Sequence, residues 1–287
     1  PAMLIVLMLA WAYVQYGSTP QAGWLLYGIK PVVIAVVAQA LWQLGGKALK
    51  SLFLAAIAVL VVVGYFLGIN EIALLFGGAL LFMLVKMGAR VRPGAMAVAF
   101  APFASLGLFT AAPFSYTTLF LSFLKIGAIL YGSGYVLLAF VRSEFVERLA
   151  WMTEQQLLDA IAIGQFTPGP FFTTATFIGF FVGGLPGALL ATLGIFLPSF
   201  IFVAISQRAL ARFQNAPAVR SLLDGVNAAA LGLMAAVAWQ LGRAAVIDPL
   251  TAAISLAALL ALIRFKVNST WLIIAGALIG LLRMLVG

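Results

Sequence analysis

The 287-residue chain contains no cysteine and no histidine. Disulfides, thiolate metal sites, haem ligation and Ser-His-Asp chemistry are thereby excluded. Charge is nearly as scarce: 8% of residues are Asp, Glu, Lys or Arg, against about 25% in a soluble domain. The acids are Glu71, Glu144, Glu147, Glu154, Asp159, Asp224 and Asp248, and they form no pair at catalytic spacing. No G-x-x-x-x-G-K-[ST] loop occurs, so nucleotide hydrolysis by that route is out. The chain does not read as an enzyme, and no cofactor or metal is expected.

What remains is apolar. Hydrophobic residues make up 65% and the mean hydropathy is +1.18. Runs near 20 apolar residues recur from end to end, which points to an all-α polytopic membrane protein. The short alternating segments of a transmembrane barrel do not occur. The net charge of +9 comes from Lys and Arg scattered singly between apolar runs. That pattern marks cytoplasmic loops; it is not a nucleic-acid footprint.

An internal repeat organises the chain. "PAMLIVLMLA…TPQAGWLLYGIKPVVIAVVAQALWQLGG" aligns without gaps on "PSFIFVAISQ…APAVRSLLDGVNAAALGLMAAVAWQLGR", Pro1 on Pro198, an offset of 197. Trp42-Gln43-Leu44-Gly45 matches Trp239-Gln240-Leu241-Gly242, and Asn70, Gly78 and Ala79 match Asn268, Gly276 and Ala277 after one inserted residue. Equivalent loops carry opposite charge. Loop 17–23 has none, while 207–221 holds Arg208, Arg212 and Arg220; Glu71 stands against Arg264 and Lys266. The positive-inside rule therefore orients the copies oppositely, the plan of an inverted-repeat secondary transporter. Residue 1 falls at the position of Pro198, so the natural protein is expected to extend upstream. There it would hold another break like the one in "IGQFTPGPFFTTATF".

The expected division is 1–92 as the end of the first repeat, 93–112 as a membrane-spanning link and 113–287 as the second repeat. About eleven segments are traced, including single crossings at 116–141 and 155–182, the latter broken; matched segments lie seven apart. The trace puts Lys47, Lys50, Arg90, Arg142, Arg148 and Arg208 inside and the C-terminus outside.

Polar residues inside spans are functional candidates, because the bilayer makes them costly. Lys125 sits mid-span in "TTLFLSFLKIGAILYGSGYVLLAF", with Tyr131, Gly132, Ser133 and Tyr135 one or two turns on. In Ile163–Phe177, Pro168, Gly169 and Pro170 end one half-helix and start another. The new half-helix exposes free N–H groups and a positive dipole end, which suits an anion. Gln165, Thr167, Thr173, Thr174 and Thr176 add donors, although such threonines also bond back to the i−4 carbonyl of a kinked helix. The repeat pairs Lys30 with Asn227 as further ligand contacts. Asp159 and Asp224, the acids nearest to membrane segments, are the proton-coupling candidates, and the remaining acids read as solvated or capping. Donors outnumber intramembrane acids, which favours an anion as cargo.

At these residues the chain resembles the chromate ion transporter family. The resemblance rests on "FLKIGAILYGSGYVLLAFV", "WMTEQQLLDAIAIGQFTPGPFFTTATFIGFFVGG", "GALLATLGIFLPSF" and "LLDGVNAAALGLMAAVAWQLG". It covers about 113–245, with 1–88 similar to the end of that family's first half. It places Lys125, Tyr131, Gly132, Gln165, Thr167, Pro168, Gly169 and Pro170 in the second-half signature. It implies proton-motive-force-driven export of chromate from the bacterial inner membrane, chromate resistance, and two oppositely oriented halves. The implied partners are chromate or a sulfate-like dianion, protons and lipid, with a homodimer as a compatible assembly. Two other readings fit the residues: a sulfate or related oxyanion carrier, and a membrane scaffold without transport.

Overall fold

The structure, a computed structural model, describes residues 1–86, 113–130, 134–167, 171–213 and 217–286. Single polar residues ahead of the apolar runs start many of its helices. α1 (Ala2–Tyr16) ends at Gly17. Thr19 then accepts the Ala22 N–H, and Pro20 presets the backbone of α2 (Pro20–Ala48). Ser51 accepts from Leu54 to open α3 (Leu52–Phe66). A turn through Gly68, at φ 80° where glycine is favoured, leads into α4 (Glu71–Lys86). Ser115 accepts from Thr118 to open α5 (Tyr116–Ile129). α6 (Leu137–Val141) continues as a π-helix over Arg142–Arg148.

Thr153 and Gln156 form a reciprocal capping box at the start of α7 (Glu154–Phe166). α8 (Thr174–Phe213) is interrupted at Gly183 and Gly184, and α9 (Pro217–Ala245) follows. Asp248 and Thr251 box the start of α10 (Pro249–Arg264), and α11 (Ser269–Val286) closes the chain. Among the described residues the fold is all-helical: eleven α-helices and no strand. By length and composition three stretches are long and apolar enough to cross a membrane, Pro20–Ala48, Phe171–Ile205 and Pro217–Ala245, the second of them divided at Gly183–Gly184. Large apolar side chains cover the outside, Trp42 at 73% and Trp239 at 65% exposure among them, as a lipid-facing surface requires.

Two regions traced as single crossings double back instead. In 116–148, Phe123 stacks on Phe145 at 4.8 Å and Ser122 donates to Glu144 at 2.5 Å. Residues 22 apart on one straight helix would stand about 33 Å apart. In 154–182, a Cβ on Gly164 would lie 2.5 Å from the Thr174 hydroxyl, although ten residues separate the two. Both regions are therefore hairpins with two short arms. This moves Arg142 and Arg148 out of the predicted loop and into a returning arm. The chain reverses again at Gly183–Gly184: Thr176 and Thr192 hydroxyls meet at 2.8 Å, and Gly179 backs onto Gly187. The link at 93–112 lies outside the described residues.

The sequence repeat reappears in element boundaries. α9 begins and ends 197 residues after α2 (Pro20 to Pro217, Ala48 to Ala245), and Phe213 ends α8 as Tyr16 ends α1. α2 and α9 run antiparallel: Ile34 approaches Gly242, and Leu231 approaches Gly45. Equivalent close packings accompany them. Gly28 in α2 abuts Gly276 in α11, and Gly225 in α9 abuts Ala79 in α4, with no room for a side chain at either glycine.

Candidate functional site

The two hairpins meet at their tips. The ring of Tyr135, just past the first tip, lies 5.1 Å from that of Phe171, just past the second, and a Cβ on Gly134 would touch Phe171. The candidates Tyr131, Gly132 and Ser133, and Pro168, Gly169 and Pro170, lie outside the described residues. What the flanking residues do is visible. α7 ends at Phe166, Thr167 is extended, and helix resumes through a 3-10 turn at Phe171–Thr173.

The threonines divide by partner. Thr167 donates to the Ile163 carbonyl at 3.1 Å, the i−4 back-bond of a helix end. Thr176 is engaged with Thr192, which donates to Ala188. Thr174 is 1% exposed, and among the described residues its hydroxyl has no hydrogen-bond partner; neither has the buried Nε2 of Gln165. Buried donors without partners are costly. Two of them flank this tip, and Thr173 lies buried between.

Lys125 does not face the second tip as a free counter-charge. Its ammonium lies 2.5 Å from Glu144, which also accepts from Ser122 at 2.5 Å and from Arg148. Glu144, read from sequence as a loop acid, is 5% exposed. It carries one negative charge between two half-exposed cations and ties the arms of the first hairpin together. Arg142 adds a second cluster, pairing with Glu147 and Glu154 and donating to the Tyr65 hydroxyl at 2.7 Å.

Lys30 and Asp159, assigned to different roles from sequence, form one ion pair at 2.9 Å with side-chain exposures of 15% and 7%. The Tyr13 hydroxyl donates to Asp159 at 2.8 Å, and Lys30 donates to Gln155 at 2.8 Å. The Gln155 amide in turn reaches the Ala244 carbonyl at 2.9 Å. This network fastens α7 to α1, α2 and α9. Asp224 sits apart, 2.9 Å from Lys50 and 4.0 Å from Lys86. Asn227 lines a cavity of about 270 Å³ with Lys47 and Val136. Among the described residues no group of three or more His, Cys, Asp or Glu could hold a metal.

Membrane hairpins meeting at polar tips suit a carrier of small ions. The sequence narrows the choice: a model of the family described as Chromate transporter matches residues 1–83 and 117–281. The chain belongs to the chromate transporter family. It is 32% identical to the chromate transport protein of Cupriavidus metallidurans over 293 residues, 98% of this chain and 72% of that one. The probable chromate transport protein of Synechococcus elongatus is 31% identical, covering 91% of this chain and 68% of that one. The chromate transport protein of Pseudomonas aeruginosa is 30% identical, covering 85% and 61%. No solved structure matches. As a chromate transporter family member the chain is a membrane transport protein, not an enzyme.

Sequence reasoning missed Tyr13, Gln155, Ser122 and Glu144. Each lies beside a charge that was noticed, and an uncapped polar residue within an apolar run was the signal for Tyr13 and Ser122. Glu144 gave no such signal, because the dense "RSEFVER" run reads as a solvated loop until the hairpin closes over it.

Proposed function

We propose that the chain moves chromate outward across the bacterial inner membrane by alternating access, driven by the proton-motive force. The observation that carries this reading is the unpartnered donor pair, Gln165 Nε2 and Thr174 Oγ1, buried beside the second hairpin tip. Chromate is a tetrahedral dianion with four acceptor oxygens and no donor. It is matched by amides, hydroxyls and a half-helix N-terminus without a nearby carboxylate. In this proposal Tyr131, Ser133, Thr173 and the backbone N–H groups of Gly132, Thr167 and Gly169 complete the donor set, while Pro168 and Pro170, which have no N–H, break the helix and free the N–H groups beyond it. Lys125 acts through Glu144, positioning the first hairpin.

The inverted repeat belongs to the same proposal. Antiparallel packing of α2 on α9, with matched boundaries, is what a two-fold axis in the membrane plane produces. Counting 116–148 and 154–182 as hairpins removes two crossings between the copies, from seven to five, and leaves the parity unchanged. Opposite orientation then needs 94–111 to cross.

Asp159 is the proposed proton carrier, with Asp224 second. Protonating Asp159 would cancel its attraction to Lys30 and loosen α7 from α2. The membrane field helps in the same direction: a dianion leaving a negative-inside cell gains about 4–5 kcal/mol at 100 mV. Everted vesicles carrying the protein should accumulate chromate, compete it with sulfate, and lose accumulation with a protonophore. Uptake that ignores both chromate and the protonophore would sink the reading. Stronger competition by sulfate than by unlabelled chromate would make it a sulfate carrier.

A further inference from the structure

Of the chain's seven acids, five make ion pairs: Glu144, Glu147, Glu154, Asp159 and Asp224. Asp248 caps α10. Glu71, read from sequence as solvated or capping, is 8% exposed and has no ion partner among the described residues. The first hairpin closes over it. Ser143 and Glu147 of the returning arm lie against its carboxyl, and Tyr65 stands beside it on α3. Lys125 acts on it from further off while bound to Glu144. α9 contributes the neutral Gln240, to which Tyr65 donates at 2.9 Å, and the exposed Arg243. Arg142 is taken by Glu147 and Glu154 and donates to Tyr65. Charge around Glu71 therefore does not balance. Glu71, Glu144, Glu147 and Glu154 bring four negative charges, against three positive ones on Lys125, Arg142 and Arg148. A carboxylate buried without a paired cation is costly, whereas the protonated acid is neutral and has one O–H to donate, with Glu147 beside it to accept.

We propose that Glu71 is a proton-binding site through which the transporter takes up its coupling proton. The inference rests on the proton-driven carrier reading and deepens it. One proton on Glu71 brings the cluster to neutrality without breaking any of its ion pairs. The cluster stands at the bases of both hairpins, and Arg142 links it to Glu154 in the first turn of α7. Oε2 of Glu154 is buried with no partner among the described residues, an open acceptor for a proton leaving Glu71. Asp159 follows five residues along the same helix, about 7.5 Å of rise. The positive-inside rule keeps Lys47 and Lys50 inside, and α3 then carries the chain across to Glu71. Glu71 thus lies on the outer side, from which the proton-motive force drives protons in.

Glu71→Gln imitates the protonated acid and cannot release a proton. Everted vesicles carrying it should keep chromate exchange at equal chromate and pH on both sides, which moves no net proton. They should lose accumulation driven by an imposed pH gradient; a purely structural role would weaken both together. In detergent without substrate, the acid-minus-alkaline infrared difference spectrum of wild type should show a carboxylic-acid band that Glu71→Gln removes. Glu71→Asp, with its carboxyl one methylene back, should keep gradient-driven accumulation at a displaced pH optimum. If Glu71→Gln does not insert, an undisplaced optimum in Glu71→Asp counts against the site. If Glu71→Gln accumulates chromate with the gradient as wild type does, Glu71 is not the coupling site and the carrier reading stands. If wild type transports neither chromate nor sulfate while the band is present and depends on Glu71, Glu71 binds a proton but its coupling role falls with the carrier reading.

Discussion

The two hairpins are built from opposite materials. The first, 116–148, is tied within itself by charge: Glu144 joins Ser122 and Lys125 of one arm to Arg148 of the other. The second, 154–182, has no internal ion pair; a glycine against a threonine holds its arms, and its one buried acid, Asp159, reaches out to Lys30 and Tyr13. A structure cross-linked internally keeps its shape, whereas one bound mainly to its neighbours can be released from them. On the proposed alternating-access reading, the contrast makes the first hairpin the scaffold and the second the element that moves.

The largest effect is expected at the first hairpin. Glu144→Gln leaves Lys125 and Arg148 facing each other across a neutral amide and should cost about 2–3 kcal/mol, the worth of hydrogen bonds to a charged group. Thermal unfolding in detergent, followed by tryptophan fluorescence, measures it. Lys125→Gln should cost less, because Arg148 and Ser122 still satisfy the carboxylate. Equal, small effects of both would erase the distinction between the hairpins.

At the second hairpin stability and transport should separate. Asp159→Asn keeps the Tyr13 contact but loses the ion pair, costing about 1–2 kcal/mol for a buried charged hydrogen bond. Chromate accumulation should then no longer respond to a protonophore, while equilibrium binding persists. A variant that still couples to the proton gradient would remove Asp159 from that role.

Thr174→Val is isosteric and removes a hydroxyl that has no partner among the described residues, so stability should change by less than about 1 kcal/mol. Transport should fall markedly. Thr176→Val instead loses the Thr192 bond, about 1 kcal/mol, and should leave transport intact. The reverse pattern would move the donor role from Thr174 to Thr176.

How much of this could be read from the sequence follows from range. Caps, helix classes and the repeat are local or periodic, and "WQLG" recurring at 197 needed no coordinates. Lys30 and Asp159 were singled out separately, because each is a charge in an apolar run; their pairing across 129 residues is tertiary and left no mark. Both hairpins were read as crossings because hydropathy measures greasiness and not direction. Two arms of a dozen residues with a Gly or Pro break have the same composition as one kinked span. The returning contacts, Phe123 on Phe145 and Gly164 on Thr174, decide between them.

The smallest effect lies outside both hairpins. Asp248 caps α10, and the Thr251 backbone N–H, followed by the Tyr27 hydroxyl, holds its carboxyl below the usual range. Because the folded pKa is the lower one, its stabilisation is complete above the unfolded carboxylate range, about pH 4. It disappears as pH falls through the depressed folded value. Asp248→Asn keeps a competent cap but has no charge to lose, so the fall in unfolding temperature on acidification should become shallower than in wild type. Near neutral pH Asp248→Asn should be the less stable of the two, the difference closing in acid, while transport is unchanged. Unchanged transport would keep the assignment of motion to the second hairpin. A transport profile that shifts in Asp248→Asn would place the proton-sensitive step at the α9–α10 loop and break the assignment of motion to the second hairpin.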